Sequence, residues 1–140
     1  MVIIIIIIGP ISVSRLSNLE YLSLNGNKFN NSILSYVSTL SSLKQLDLSD
    51  IGLKGIIDLR ELDSLTNLEE LSMGGNEIKK IVFSKGETSL RKLNAVYLSN
   101  LIISDGSSLF QTLGLFPSLK SIRLSFNISS GAVTTYGKLQ

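Results

Sequence analysis

A frame of apolar residues that returns every 24 to 26 positions constrains this chain more than any other feature. The frame L-x-x-L-x-L is complete over residues 19–24. Its last apolar position is filled in turn by Leu24, Leu48, Met73, Leu98 and Leu124, at steps of 24, 25, 25 and 26 residues. A regular period of this length is the signature of a repeat protein, in which each unit is one small supersecondary structure.

The spacing inside the frame indicates the structure of each unit. The last two apolar residues are two positions apart, which is the side-chain period of a β-strand. Upstream, apolar residues recur every third position, as at Val13, Leu16 and Leu19, which suits an irregular or 3₁₀ return segment. The fourth unit fits less well, because Glu87 stands where its first apolar residue belongs.

One unit cannot bury its apolar face alone, but stacked units join their faces into a single core. The sequence therefore predicts an α/β repeat solenoid of about five units over residues 13–133. A short parallel sheet is expected on the concave face, with a mostly irregular or 3₁₀ convex side.

The two ends of the chain lie outside this pattern. Residues 1–12 include six consecutive Ile, a run far shorter than the roughly 20 apolar residues of a membrane-spanning helix. A degenerate secretory signal and an edge strand lying on the first unit are both compatible with this segment. Residues 134–140 are expected to be a frayed tail, leaving the last coil without a cover.

Composition excludes several classes of function. The 140 residues contain no Cys and no His, which removes disulfides, thiol catalysis, the Ser-His-Asp triad and the commonest zinc ligands. The net charge of +2 does not indicate a nucleic-acid-binding protein. Glu69 and Glu70 are adjacent on a strand, so their side chains diverge and do not form a catalytic pair. The sequence predicts no catalytic residue, no metal site and no cofactor.

Three asparagines occupy the position that follows each strand by a fixed offset, Asn27, Asn76 and Asn127. At this place a side-chain amide can bond the backbone of the turns between neighbouring coils, so we expect a structural asparagine ladder. The second and fourth units carry Ile51 and Leu101 there instead. Asp50 and Asn100, one place earlier, are expected to substitute in part.

The repeats resemble the leucine-rich repeat ectodomains of plant receptor-like proteins and receptor-like kinases. In that family the asparagine is followed by L-x-G-x-I-P, and residues 53–57 of this chain match its first five positions, with Asp58 in place of Pro. The segments 62–71 and 113–120 are similar to the same family, and the resemblance covers residues 13–133. Family members carry a Cys-containing cap and many more repeats, so the chain is interpreted as a fragment of such an ectodomain.

The resemblance implies a non-catalytic recognition module in defence or developmental signalling. It implies a peptide or protein ligand, a receptor or co-receptor ectodomain as partner, and no nucleic acid or metal. The expected location is the extracellular face of the plasma membrane or the secreted fraction, with membrane attachment only through parts that this chain lacks.

The outward residues of the predicted strands stack into three columns across the concave face, and Tyr and Arg among them are common interface anchors. The candidate ligand-binding residues are Tyr21, Ser23, Asn25, Gln45, Asp47, Ser49, Glu70, Ser72, Tyr97, Ser99, Arg123 and Ser125. Five units span only roughly 20–25 Å. The alternative is therefore a solvated face, rich in small residues, with no ligand.

Asn30-Asn31-Ser32 is an N-glycosylation sequon on the loop after a strand, so Asn30 is a candidate glycosylation site. A second match begins at Asn127, where we expect the amide to be occupied inside the turn and unmodified.

Other functions remain open. The chain could be a truncated or degenerate repeat fragment with a purely structural role, as its exposed apolar ends suggest. A secreted polygalacturonase-inhibitor-like protein shares this repeat, although the missing cap cysteines argue against it. The repeat region of an intracellular immune sensor has less regular spacing.

Overall fold

The apolar frame forms a stack of parallel strands. A computed structural model describes residues 2–4, 17–103, 106–128 and 131–138, and the side chains of residues 17–103 and 106–125. Its strands are β1 (Val2–Ile4), β2 (Tyr21–Ser23), β3 (Gln45–Asp47), β4 (Lys54–Asp58), β5 (Glu70–Ser72), β6 (Glu77–Val82), β7 (Ala95–Ile102), β8 (Ser121–Ile128) and β9 (Gly131–Lys138). Among these residues, one seven-stranded sheet has the order β1-β2-β3-β5-β7-β8-β9, and β4 and β6 form a second sheet.

The register of the large sheet follows the repeat. Leu22 pairs with Leu46, and Leu46 in turn with Leu71, so equivalent frame residues lie side by side. The same alignment continues from β5 to β7 and from β7 to β8. Every pairing from β1 to β8 is parallel. The predicted leucine-rich solenoid with a parallel sheet is therefore confirmed.

The core lies between the concave sheet and the return segments. The last apolar frame residue of each unit is completely buried, as are most of the leucines spaced by three residues upstream. Full burial of one such side chain contributes about 1.5–3 kcal/mol relative to exposure. Because each coil covers the next, this contribution exists only in the stack.

The convex side is more regular than the sequence predicts. It contains helix α1 (Ile33–Val37), a 3₁₀ helix (Leu59–Leu62) and helix α2 (Gly106–Leu113), besides the parallel pair β4–β6. The β4–β6 pair is rich in Ile, which favours strands, and Ile57, Ile78 and Ile81 are buried. The register of this pair shifts between Gly55 and Ile56.

Acidic side chains of the second and third units hold the irregular segment that leads into the fourth unit. Asp63 Oδ1 accepts hydrogen bonds from Thr88 Oγ1 and from the Ser89 amide, both at 2.8 Å. Asp58 Oδ1 accepts from the Ser84 amide at 3.1 Å. Thr88 is buried and accepts from the Leu90 amide, so polar contacts replace the apolar residue missing at Glu87.

In the first four coils, the residue two positions after the last apolar frame residue is in the left-handed backbone region. In the first and third coils this residue is glycine, Gly26 with φ +80° and Gly75 with φ +69°. The second and fourth coils have Asp50 with φ +53° and Asn100 with φ +59° at the equivalent place. Asp and Asn tolerate this conformation better than other residues with a Cβ, which explains why they occur here.

The ends of the large sheet are formed by two further strands. Val2–Ile4 pairs with β2, which agrees with the edge-strand alternative for that part of residues 1–12, while residues 5–12 lie outside the described residues. The expected frayed tail at 134–140 is wrong over 134–138, because Gly131–Lys138 pairs antiparallel with β8. The pairing satisfies backbone groups that the edge of β8 would otherwise leave open. Within the described residues no helix is long and apolar enough to span a bilayer.

Two glycines of the second coil provide a matched test of the close approach between coils. Gly52 has φ +89° and Gly55 has φ +71°, so alanine costs about 1–2 kcal/mol at either from backbone conformation alone. Only at Gly52 does an added Cβ meet backbone, the Phe29 carbonyl oxygen at 2.8 Å. We expect Gly52→Ala to lower the free energy of unfolding in urea by about 2 kcal/mol more than Gly55→Ala. Equal losses would show that the Phe29 carbonyl moves aside freely.

Candidate functional site

The candidate binding residues lie in straight columns across the concave sheet. Strand register places Ser23 beside Asp47, Asp47 beside Ser72, and Ser72 beside Tyr97. The column continues to Arg123, which pairs with Tyr97 on one side and with Tyr136 of β9 on the other. The neighbouring column contains Tyr21, Gln45, Glu70, Ala95 and Ser121. The structure thus brings together on one face the strand residues that the repeat spacing selected.

Asp47 is held in position by its own coil and by the preceding one. Its Oδ1 accepts from the Ser49 amide at 2.9 Å, and its Oδ2 lies 3.4 Å from Ser23 Oγ. Ser23 Oγ in turn is 3.4 Å from the Asn25 amide. Asp47 is only partly buried, so its carboxylate presents a fixed negative charge on the concave surface.

Tyr97 and Arg123 form the other half of the column. The Arg123 guanidinium carbon lies 5.7 Å from the centre of the Tyr97 ring, within the range of a cation–π contact. The two side chains border a shallow depression of about 300 Å³. Its lining residues are Ser49, Ser72, Gly74, Tyr97, Ser99 and Arg123.

Gly74 lines the depression at a point where two coils approach each other closely. A Cβ at this position would lie 2.7 Å from the Ser99 carbonyl oxygen and 3.1 Å from the Ser99 amide nitrogen. The third and fourth coils are therefore in backbone contact beneath the depression, and only glycine fits there. Gly74 was absent from the candidate residues. A glycine among outward-facing serines is the signal that would have identified it.

Charge is unevenly distributed along the concave face. We define the concave strip as the outward-facing residues of the strands together with the residue that immediately precedes each of these strands, at positions 20, 44, 69, 94 and 120. Its first three coils contain one Lys and four acids, and its last two coils contain two bases and no acid. The charged residues are Glu20, Lys44, Asp47, Glu69, Glu70, Lys120 and Arg123. Lys44 Nζ lies 3.3 Å from Glu20 Oε1, which leaves the other three acids of the first half in excess. The charges at 20, 44, 69 and 120 were not among the candidates, although their spacing follows the repeat.

Asn76 joins two coils through its buried side chain. Its Oδ1 accepts from the amides of Ile51, Gly52 and Leu53, each at 3.1 Å. Its Nδ2 donates to the Leu48 carbonyl and to the Met73 carbonyl of its own coil, both at 2.8 Å. Asn27 Nδ2 donates to the Leu24 carbonyl at 2.8 Å, whereas the side chain of Asn127 lies outside the described residues.

The expectation that Asp50 substitutes for the missing ladder residue of the second coil is wrong. Its exposed carboxylate has no hydrogen-bond donor among the described residues and lies over Gly75. Asn76 of the next coil supplies the bonds instead, which allows Ile51 to be buried as an apolar residue. Asn100 likewise makes no side-chain hydrogen bond within the described part of the chain. Both residues serve the left-handed turn.

The sequon asparagine is exposed on the loop after the first coil's turn. Asn30 Oδ1 accepts from the Ser32 amide at 2.9 Å and also from the Ser32 hydroxyl. Its neighbour Asn31 instead pairs with the backbone of Lys54, donating at 2.8 Å and accepting at 3.0 Å. Asn31 therefore fastens the loop to the second coil, while the amide nitrogen of Asn30 faces outward with no hydrogen bond to the described residues.

Comparisons with known proteins match the repeat. A family model described as Leucine Rich Repeat matches residues 18–40. Receptor-like protein 9b of Arabidopsis thaliana is 41% identical over 69 residues, 49% of this chain and 7% of that protein. Receptor-like protein 41 of the same plant is 34% identical over 120 residues, 86% of this chain and 13% of that protein. The chain thus spans a small part of the length of these relatives.

Among solved structures, an internalin from Listeria monocytogenes matches with a TM-score of 0.34 and 18% sequence identity. The match covers 84% of this chain and 44% of that chain.

Replacement of Asn76 by Ala tests the contribution of the ladder. The change leaves the buried backbone amides of Ile51 and Leu53, and the partly buried amide of Gly52, without an acceptor, and each unsatisfied buried group costs about 1–3 kcal/mol. We expect Asn76→Ala to lower the free energy of unfolding by about 3 kcal/mol or more, measured by chemical denaturation. The control is Asn25→Ala, an exposed position where the change should stay within about 0.5 kcal/mol. Similar stability of the two variants would contradict the structural role of Asn76.

Proposed function

We propose that this chain, whose coils are leucine-rich repeats like those of plant receptor-like proteins, is a non-catalytic recognition module that binds a peptide or protein ligand on its concave face. The observation that supports this function best is the pairing of Tyr97 and Arg123 beside the depression at Gly74. Tyr and Arg are the side chains most often found at the energetic centre of interfaces. The depression next to them is lined by serines and by the Tyr97 ring, and it offers both apolar contact area and hydrogen-bonding groups.

The fold presents these residues rigidly. Each belongs to a strand whose neighbours on both sides are paired in the sheet, and Asp47 is further oriented by Ser23 and Ser49. Little side-chain and backbone entropy remains to be lost when a partner binds, which favours affinity from a small surface. Recognition through shape and polar complementarity requires no bond chemistry.

The cellular role is proposed from the relatives. Their names identify them as receptor-like proteins of a plant. By similarity, this chain would act in defence or developmental signalling, on the extracellular side of the plasma membrane or in the secreted fraction. A receptor or co-receptor ectodomain would then be a partner besides the ligand.

A binding screen tests the concave face. The purified full chain is immobilised and exposed to secreted plant peptides and to receptor ectodomains, and each positive is repeated with Tyr97→Ser/Arg123→Ser. We expect the double variant to weaken binding at least about tenfold, as loss of central interface anchors does. Tyr36→Ser is the matched control, because Tyr36 is 56% exposed on α1 at the convex side. Unchanged binding by the concave variant, or no positive from a folded sample, would refute the proposal.

Glycosylation at Asn30 is a separate proposal with its own test. When the chain is expressed through the plant secretory pathway, we expect a single N-linked glycan that enzymatic deglycosylation removes, seen as one mass shift. The exposed Asn30 side chain and its contact with Ser32 support this site. Asn30→Gln and Ser32→Ala should each abolish the shift, whereas Ser32→Thr keeps the sequon and the glycan. A glycan that persists in Asn30→Gln would assign modification to another residue.

A further inference from the structure

We infer that the concave strip selects an extended peptide whose basic and acidic residues are separated. The basic side chains of the peptide lie over β3 and β5, and its acidic side chains lie over β8. The inference rests on the proposed function and names the chemical class of its ligand. It is supported by the charge distribution, the strand spacing and the shape of the strip between the two charged ends.

The two ends of the strip have opposite charge. Asp47 on β3 and Glu70 on β5 are partly buried, and so is Glu69, which comes just before β5 and lies outside the strand in which adjacent side chains would diverge. No basic side chain in the described part of the chain forms an ion pair within 4.0 Å of these three carboxylates. At the other end Lys120 and Arg123 are exposed. A partner with the opposite order of charges is attracted at both ends, while a uniformly charged partner is repelled at one end.

The distance between the ends defines the spacing of charges in the ligand. β3 and β8 are three strand positions apart in the sheet, which corresponds to about 14 Å at the usual interstrand distance. An extended peptide rises about 3.3 Å per residue, so roughly four residues cover this distance. The matching ligand therefore has its basic and acidic groups separated by about three residues without charge.

The middle of the strip suits a peptide backbone. Ser72, Gly74 and Ser99 are small, so a chain crossing the strands can approach the sheet closely. The serine hydroxyls can donate and accept hydrogen bonds, and the Tyr97 ring offers an apolar wall. Within the strip the described residues between Glu70 and Lys120 carry no charge, so uncharged ligand residues are not penalised there.

Two synthetic peptides of identical composition test the order of charges. The segregated peptide is acetyl-Lys-Lys-Ser-Gly-Ser-Glu-Glu-amide, and the alternating peptide is acetyl-Lys-Glu-Ser-Gly-Ser-Lys-Glu-amide. Each is titrated into the isotope-labelled full chain at low salt and followed by NMR, which measures weak affinities. We expect the segregated peptide to bind about tenfold more tightly, with shifts confined to the concave strip, since a few exposed ion pairs are each weak but add up. High salt should remove the difference.

Charge reversal in the protein separates this effect from loss of folding. Lys120→Glu/Arg123→Glu makes the strip uniformly negative at its ends and should remove the preference for the segregated peptide. Adding Asp47→Asn/Glu69→Lys/Glu70→Lys makes the first end positive and so reverses the order of charges, and the preference should return because the peptide can bind in the opposite direction. Lys28→Glu/Lys85→Glu changes the net charge equally at exposed sites outside the strip and should leave the preference intact.

Other outcomes overturn the inference. Equal affinity for the two peptides, or a preference that survives Lys120→Glu/Arg123→Glu, excludes selection by charge order. A dimer that forms at low salt and dissociates in Lys120→Glu/Arg123→Glu would assign the strip to a second copy of the chain instead. If binding of the ligand found by the screen depends on Tyr97 but the chain binds the two peptides equally well, the proposed function stands and only this inference fails.

Discussion

The burial of one apolar stripe between neighbouring coils is the interaction on which this structure depends. No coil has a core of its own, because its strand contributes only two inward side chains, as Leu22 and Leu24 do in the first. Parallel pairing brings equivalent residues into contact, and every coil therefore stabilises the coil on either side. The position of each outward residue on the concave face follows from the same pairing. The layout of the concave face and the stability of the stack thus share a single geometric cause.

The turns at the strand ends are the second requirement of the stack. A left-handed residue turns the chain two positions after the last apolar frame residue, and Gly26, Asp50, Gly75 and Asn100 fill this place in the first four coils. Side chains of the next coil then form hydrogen bonds to the backbone groups that the turn leaves unpaired. Asn76 accepts in this way from the amides of residues 51–53. One asparagine serves two coils, which explains why the second coil tolerates Ile51 at its own ladder position.

The concave side could be predicted from the sequence because burial imposes a strict spacing on Leu and Met, and the resemblance to plant receptor-like proteins is confirmed by the relatives. The convex side could not, since short segments such as 33–37 and 54–58 become helix or strand according to what they pack against. The pairing of β9 with β8 was not predicted, because it forms through backbone hydrogen bonds and residues 131–138 lack the apolar frame of the repeat. The depression and the separated charges depend on which side chains become neighbours, so repeat spacing can place Gly74 and Lys120 in the frame but does not give the contacts they make.

The glycine beneath the depression has a consequence for how this surface changes over generations. Any side chain at Gly74 has to push against the backbone of the coil that contains Ser99. Filling the hollow therefore damages the packing of the solenoid before it can affect a ligand. The requirement for a folded protein therefore favours glycine at this position whether or not a ligand binds, whereas the side chains of Ser72 and Ser99 beside it are under no such backbone constraint.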